Sequence, residues 1–285
     1  MAVLYGLLAV ASLGGMLATK SGNPLRAQIN AWWLIFPVVS LSLVSFPMGP
    51  VLLVLLIALL AVRELAALCA LPRERRRFVG WCLGLLALQT GLSWYRPGLA
   101  VGVLAVLLLL QSAWFLGHRR PGPLLLQLFA LLLLALSFLP MLLGRPASTD
   151  VNQGWYFYLF VLTALNDIGQ FIAGTTLGRH RIAARISPQK TWQGLAGGVL
   201  VSVAVSLALG LYLELANAAQ LVLLALLLAP GGFAGDLLFS AAKRWLGIKD
   251  FSNLIPGHGG MLDRVDSLVL TAPLLYLALA ACPLF

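Results

Sequence analysis

The chain has 285 residues, of which 61% are hydrophobic and only 10% charged, and its mean hydropathy is +0.96. Soluble domains run at about 45–50% apolar and about a quarter charged, so a soluble enzyme, a disordered chain and a collagen-like fibre are excluded together, and the chain reads as a membrane protein. The formal net charge of +10 does not call for a nucleic-acid partner, because Lys and Arg fall in short bursts between apolar runs of spanning length, as they do in the cytoplasmic loops of polytopic proteins.

A bilayer core of about 30 Å needs about 20 apolar residues in a helix. In chain order the candidates are Ala2–Thr19, Trp32–Pro47, Val51–Leu71, Phe78–Trp94, Gly98–Leu116, Pro123–Leu143, Trp155–Leu177, Leu195–Leu213, Leu221–Phe239 and Leu262–Pro283. The predicted fold class is therefore all-α, a polytopic transmembrane helical protein of about nine or ten spans. The second candidate is short enough to be re-entrant or interior. Ala2–Thr19 lacks a basic leading region and is followed by further spans, so it reads as a retained helix rather than a cleaved signal. Trp32, Trp33, Trp94 and Trp155 lie near span ends, where interfacial anchors belong. Cys69, Cys82 and Cys282 sit in apolar runs without paired spacing, which argues for inert buried thiols rather than a disulfide framework or a zinc site.

Sixteen of the 19 Lys and Arg fall on connections that share one face when the loop around Arg73 is taken as inside. Only Arg96 and Arg145 fall on the other face, and Arg63 lies within a span. That bias sets the cytoplasmic side and points both termini outward. Residues 1–285 read as one integral-membrane domain, with a Leu-rich first half (1–150) of low specificity and a second half (151–285) that carries the chemistry. The Gly/Pro-interrupted polar segments all belong to the second half. No inverted repeat of the transporter kind is visible.

The chain holds nine carboxylates, and Asp167, Asp236, Asp250, Asp263 and Asp266 are concentrated in the second half. An ionisable group in or beside a span costs a few kcal/mol and is a functional candidate by default. Asp263 and Asp266, three apart at the start of the last helix, project from one face, where they could share a cation. Asp236, Ser240 and Lys243 are spaced i, i+4, i+7 at the inner end of the preceding helix. Between the two lies Ile255-Pro256-Gly257-His258-Gly259-Gly260, whose proline stops regular helix and whose glycines permit close backbone approach, as a phosphate-wrapping loop requires. Carboxylate oxygens with few other donors suit Mg²⁺ held together with substrate phosphates. Lys243, Arg244, Lys249 and Arg264 then read as counter-charges to phosphate. Ion pairing among these acids and bases is the simpler alternative.

Ser187-Pro188-Gln189-Lys190-Thr191-Trp192-Gln193-Gly194 emerges two spans earlier on the same face. It offers a cation, hydroxyls and a helix start to an anion, although a plain Ser-Pro helix-start turn would look the same. Asp167 lies 12 residues before Arg179, about 18 Å along a helix, near the membrane middle, with Thr163, Asn166 and Gln170 on its side. This polar notch is either a structural hydrogen-bond cluster or a cavity reached from the bilayer. Arg63 and Glu64 read as structural, and His118 as loop charge.

The run Ser240-Ala-Ala-Lys243-Arg244, then Lys249-Asp250-Phe251-Ser252, then Ile255-Pro256-Gly257-His258-Gly259-Gly260-Met261-Leu262-Asp263-Arg264-Val265-Asp266 resembles the signature of the phosphatidate cytidylyltransferase (CDP-diacylglycerol synthase) family. Gly235-Asp236 is similar to the family's Gly-Asp pair, and Ser187 to Gly194 to its Ser-Pro-Lys-Lys-Thr-x-Glu-Gly segment. The resemblance covers roughly Trp155 to the last residue. It implies a nucleotidyltransferase that joins CTP to phosphatidic acid, or to a related lipid phosphate, releasing pyrophosphate and giving CDP-diacylglycerol for phospholipid biosynthesis.

It further implies a magnesium site, with one cation or two, at the cytoplasmic membrane interface. Asp236, Asp263 and Asp266 would hold the metal, and Lys243, Arg244 and Arg264 would complete the catalytic set. Asp167, Ser187, Lys190, Thr191, Ser240, Lys249, Asp250, His258, Gly259 and Gly260 would bind substrate. The expected setting is the inner (cytoplasmic) membrane, multi-pass, among membrane lipids, with no nucleic-acid partner, and a homodimer is compatible with it. The chain departs from the family where Asp167-Ile168-Gly169-Gln170-Phe171 replaces Asp-Thr/Ser-x-Ala-Tyr, where Gln189 and Gln193 replace a Lys and a Glu, and at Ala242, where the family has a larger apolar residue. These departures mark a divergent subgroup. The alternatives are a CTP-dependent lipid or polyprenol kinase, a transporter, or a non-catalytic membrane protein that keeps the signature.

Overall fold

A computed structural model describes residues 6, 9, 12, 24–46, 48–118, 120–254 and 259–281. Most of the Ala2–Thr19 candidate, together with Lys20, Arg119, His258 and Cys282, lies outside the described residues. The helices are α1 (Pro24–Val44), α2 (Met48–Ala67), α3 (Pro72–Tyr95), α4 (Pro97–His118), α5 (Pro121–Leu143), α6 (Thr149–Leu177), α7 (Trp192–Tyr212), α8 (Ala218–Trp245), α9 (Leu262–Val265) and α10 (Leu268–Ala281). A two-stranded antiparallel hairpin, β1 (Arg181–Ala183) and β2 (Ser187–Thr191), precedes α7.

Among the described residues, 7 helices are long and apolar enough to cross a membrane: α2, α4, α5, α6, α7, α8 and the continuous stretch Leu262–Ala281. The chain is an all-α polytopic integral-membrane protein. The Phe78–Trp94 candidate falls within α3, whose first turns carry Arg73, Glu74, Arg75, Arg76 and Arg77. The Trp32–Pro47 candidate falls within α1, whose apolar part is the short stretch Ile35–Val44 and which has Pro37 inside it.

The chain clusters into two compact units, Met1–Leu68 with Asp250–Arg264, and Cys69–Lys249 with Val265–Phe285. In the first, α1 packs on α2, and the helices touch where Gly49 lies against the Ser42 backbone, a spot that no Cβ would fit. α2 buries Leu53, Val54, Ile57, Ala58, Ala61, Val62 and Leu65, and with them one charge, Glu64.

In the second unit the proline at the start of α3 and of α5 takes a position whose N–H has no helical partner, which is where proline is tolerated best. Ser148 caps α6 by accepting from the Val151 N–H. Asn217 and Gln220 form a reciprocal capping box at α8. The core between α5, α6, α7, α8 and α10 holds Phe129, Trp155, Tyr156, Tyr158 and Phe239, all fully buried.

Lipid tails give no hydrophobic force that joins one helix to another, so association rests on close packing and hydrogen bonds. α6 and α7 show both. A Cβ at Gly197 would collide with the Ala173 side chain, one at Gly169 would come 2.9 Å from Val201 Cβ, and one at Gly194 would lie 3.0 Å from the Gln170 carbonyl. The two backbones meet because those positions are glycine. Buried polar side chains then bond across helices: Tyr158 Oη to Ser206 Oγ at 2.6 Å, Ser206 Oγ to the Leu221 carbonyl at 2.7 Å, Ser202 Oγ to Asn166 Oδ1 at 3.2 Å and Asn166 Nδ2 to the Ala229 carbonyl at 3.3 Å.

Gly197→Val is expected to force α6 and α7 apart and to destabilise the protein by about 1–3 kcal/mol, the usual cost of overpacking. Thermal unfolding in detergent checks this, with Gly84→Ala, whose Cβ would meet nothing within 4 Å, as the neutral comparison.

Candidate functional site

Thr163 and Asn166 are hydrogen-bonded inside the protein, whereas Asp167 and Gln170 of the polar notch line a cavity. It has a volume of about 140 Å³ and lies wholly within the second unit, lined by side chains of α6, β2, the first turn of α7, and α8. Asp167 and Gln170 come from α6, Ser187, Lys190 and Thr191 from β2, and Phe233 and Asp236 from α8. The segment whose sequence resembles a helix-start turn is therefore a strand that runs into a capped helix. Thr191 Oγ1 accepts from the Gly194 N–H at 3.0 Å and so starts α7.

Lys190 joins β2 to α8. Its Nζ lies 2.6 Å from Asp236 Oδ2, 4.2 Å from the centre of the Phe233 ring, and donates to the Phe233 carbonyl at 3.4 Å. Asp236 Oδ1 accepts from Ser240 Oγ at 3.1 Å, as their i, i+4 spacing on α8 requires. Lys243 is buried on the same helix. Phe233 is not among the sequence candidates, although its place three residues before Asp236 puts it on the same face of α8.

Deeper in the second unit, Asp167 Oδ1 accepts from Ser267 Oγ at 3.2 Å, and Asp266 Oδ1 accepts from the Ser267 N–H at 2.9 Å. Gly235 faces this point: a Cβ there would stand 2.5 Å from the Asp266 carbonyl oxygen. The glycine of the Gly-Asp pair thus lets α8 approach the start of α10, and the aspartate after it faces the cavity.

The hairpin is fixed from both ends. Gln193 Oε1 accepts from the Arg179 and His180 N–H groups at 3.1 and 3.2 Å, and its Nε2 lies 2.9 Å from His180 Nδ1. Arg244 donates from Nε to the Ile186 carbonyl and from Nη1 to the Ile248 carbonyl, each at 3.1 Å. In this arrangement the guanidinium holds the hairpin turn to the end of α8. Lys249 is exposed.

The remaining candidates belong to the first unit. Asp263 is buried, and its Oδ2 accepts from the Phe251 N–H at 3.0 Å and the Gly260 N–H at 2.9 Å. Glu64, at 3% exposure, accepts from Ser252 Oγ at 2.7 Å, the Met261 N–H at 2.7 Å and the Leu262 N–H at 3.0 Å. Gly259 has φ of +78°, the left-handed region that favours glycine, and a Cβ at Gly260 would stand 2.6 Å from Glu64 Oε2. Both glycines make room for carboxylates of the chain itself. Asp250 and Arg264 are exposed, and His258 lies outside the described residues.

Among the described residues, no group of three or more His, Cys, Asp and Glu side chains is gathered to hold a metal ion. The donors present are hard oxygens, from carboxylates and hydroxyls. That set fits a cation which keeps few protein ligands and completes its shell from phosphates. Cys69, beyond the end of α2, has its thiol pushed up from the ordinary range by burial, with Glu74 adding to the effect and Arg75 opposing it. This keeps it protonated and weakly reactive.

Residues 26–282 match the Cytidylyltransferase family. The chain is 34% identical over 298 residues to Uncharacterized protein YnbB of Escherichia coli (strain K12), covering 99% of this chain and 98% of that protein. It is 35% identical over 191 residues to Phosphatidate cytidylyltransferase of Rickettsia bellii (strain RML369-C), covering 64% and 80%. It is 28% identical over 289 residues to Phosphatidate cytidylyltransferase of Mycobacterium tuberculosis (strain ATCC 25618 / H37Rv), covering 93% and 85%.

The Lys190–Asp236 pair is expected to be coupled in stability. A double-mutant cycle with Lys190→Met and Asp236→Asn, read by thermal unfolding in detergent, should give an interaction of about 0.5–3 kcal/mol. Strict additivity would mean that the hairpin and α8 are not joined there.

Proposed function

Since the chain belongs to the cytidylyltransferase family, and is a nucleotidyltransferase on that ground, we propose that it transfers the cytidylyl group of CTP to a lipid phosphate. Phosphatidic acid, or a close relative of it, is the acceptor, and the products are a CDP-lipid and pyrophosphate. The observation that carries the reading is the cavity in which Asp167, Asp236 and Lys190 stand together beside an apolar wall of Phe171, Leu195 and Phe233. A cation for the phosphate, carboxylates for a Mg²⁺ that would bridge to it and apolar surface for the tail meet in one recess.

In the proposed reaction an oxygen of the lipid phosphate attacks the α-phosphorus of CTP, a P–O bond forms, and the bond to the β-phosphate breaks as pyrophosphate leaves. The attacking oxygen is already anionic, so no Ser or Cys nucleophile is needed, and positioning and charge neutralisation carry the rate. Lys190 and Lys243 neutralise phosphate oxygens. Asp236 and Asp266, both of the second unit, are the proposed holders of Mg²⁺, which when bound would neutralise charge on the phosphates, while Asp263 fixes the Phe251 and Gly260 backbone of its own segment. Asp167 lies along α6 from the hairpin and orients the acceptor at the notch. The proposed setting is the cytoplasmic membrane with this chemistry on the cytoplasmic face, on the strength of the Lys and Arg bias.

Asp236→Asn and Asp266→Asn are each expected to lower kcat by two orders of magnitude or more, about 3 kcal/mol of transition-state stabilisation, without lowering membrane abundance. Pyrophosphate release from CTP with phosphatidic acid and Mg²⁺ in detergent checks it. Near-normal rates in both variants would overturn the assignment.

A further inference from the structure

Glu64 is a buried carboxylate that the proposed chemistry does not use. It sits on α2, in the half of the sequence that looks like apolar filler, yet it is only 3% exposed. A carboxylate that deep is costly unless donors surround it. Three do, and all come from one stretch of chain: Ser252 Oγ at 2.7 Å before residues 255–258, and the Met261 and Leu262 N–H groups at 2.7 and 3.0 Å after them. The carboxylate therefore ties the two ends of the signature segment to each other and to α2.

Two further features belong to the same clasp. A side chain at Gly260 would run into the Glu64 carboxylate, with Cβ 2.6 Å from Oε2 and 2.7 Å from Oε1. Asp263 repeats the arrangement from inside the segment, its Oδ2 accepting from the Phe251 and Gly260 N–H groups. Each carboxylate bridges a donor before residues 255–258 to a donor after them. The backbone around Gly260 is thus held by one carboxylate of its own segment and by one supplied from α2. Arg63, the neighbour of Glu64 in sequence, is exposed, and none of these bonds involves it.

We infer that Glu64 is a positioning residue, the clasp through which α2 holds Ser252 and Gly260–Asp263 in the geometry that the nucleotide phosphates require. It touches neither substrate; it acts through the backbone it fixes and through Asp263. The inference rests on the proposed cytidylyl transfer for its catalytic consequence, whereas the clasp itself does not.

The test uses full-length purified protein in detergent with Glu64→Ala, Glu64→Gln and, as control, Arg63→Gln. Misplacing reacting groups by about 1 Å costs on the order of 100-fold, and Glu64→Ala is expected to lose about that much in kcat/KM for CTP. Glu64→Gln, which keeps the shape and one acceptor oxygen, should recover part of the loss, and Arg63→Gln should match the unsubstituted protein. Hydrogen exchange supplies the second readout: amides at Phe251 and at Gly260 to Leu262 should exchange faster in Glu64→Ala, while those of α8 and α10 stay as they were.

Unchanged exchange at Met261 and Leu262 overturns the clasp, as does a Glu64→Ala variant within twofold of normal kcat/KM. If Glu64→Ala does not fold, the same two readouts on Glu64→Gln decide. Absence of nucleotidyl transfer in the unsubstituted protein would count against the proposed function alone, and hydrogen exchange would then decide by itself whether Glu64 holds the segment.

Discussion

A buried carboxylate must find its donors within the chain, because burial takes away the hydrogen bonds of water. Much of this protein is arranged around that constraint. Glu64 has a hydroxyl and two backbone amides, Asp263 has two backbone amides, Asp167 and Asp266 share Ser267, and Asp236 has Lys190 and Ser240. Several of these donors come from another element, so satisfying the acid also ties two elements together.

Close approach explains a few of the glycines. Gly235 brings α8 against the Asp266 carbonyl, Gly260 leaves room for the Glu64 carboxylate, and Gly194 and Gly197 bring the first turns of α7 onto α6. With any larger residue at these points a carboxylate or a helix would stand farther away. The hairpin follows from this as well. β2 delivers Lys190 to Asp236, while Gln193 and Arg244 hold the turn by its backbone. Gln193 shows how an amide can stand where the family has a carboxylate: its oxygen accepts from two N–H groups, and its nitrogen meets the His180 ring.

Much of this is legible in the sequence. Apolar runs of spanning length mark α2 and α4 to α8 because membrane helices are defined by length and hydropathy, and helical spacing places Ser240 on Asp236 correctly. The short hairpin escapes such a reading, since five residues containing a proline carry no clear strand period. Phe233 escapes it too, because an aromatic residue in an apolar span looks like every other, and only its cation reveals it. Glu64 reads as structural, and it is bonded as a structural residue would be. Its partners, however, lie 188 to 198 positions away, a separation that no local pattern encodes. Arg244 reads as a phosphate contact, and in the structure its Nε and Nη1 donate to the Ile186 and Ile248 carbonyls, bonds that its charge alone does not foretell.

The central claim, that the recess around Asp236 and Lys190 serves transfer of a nucleotidyl group to lipid, is tested most directly by following the α-phosphate. Purified protein in detergent is given phosphatidic acid, Mg²⁺ and CTP labelled at either the α- or the γ-phosphate, with Asp236→Asn in parallel. The account predicts α-label in the lipid fraction with the unsubstituted protein, none from the γ-position, and none with the variant. Lipid that carries γ-label, or equal α-labelling by the Asp236→Asn protein, would contradict it.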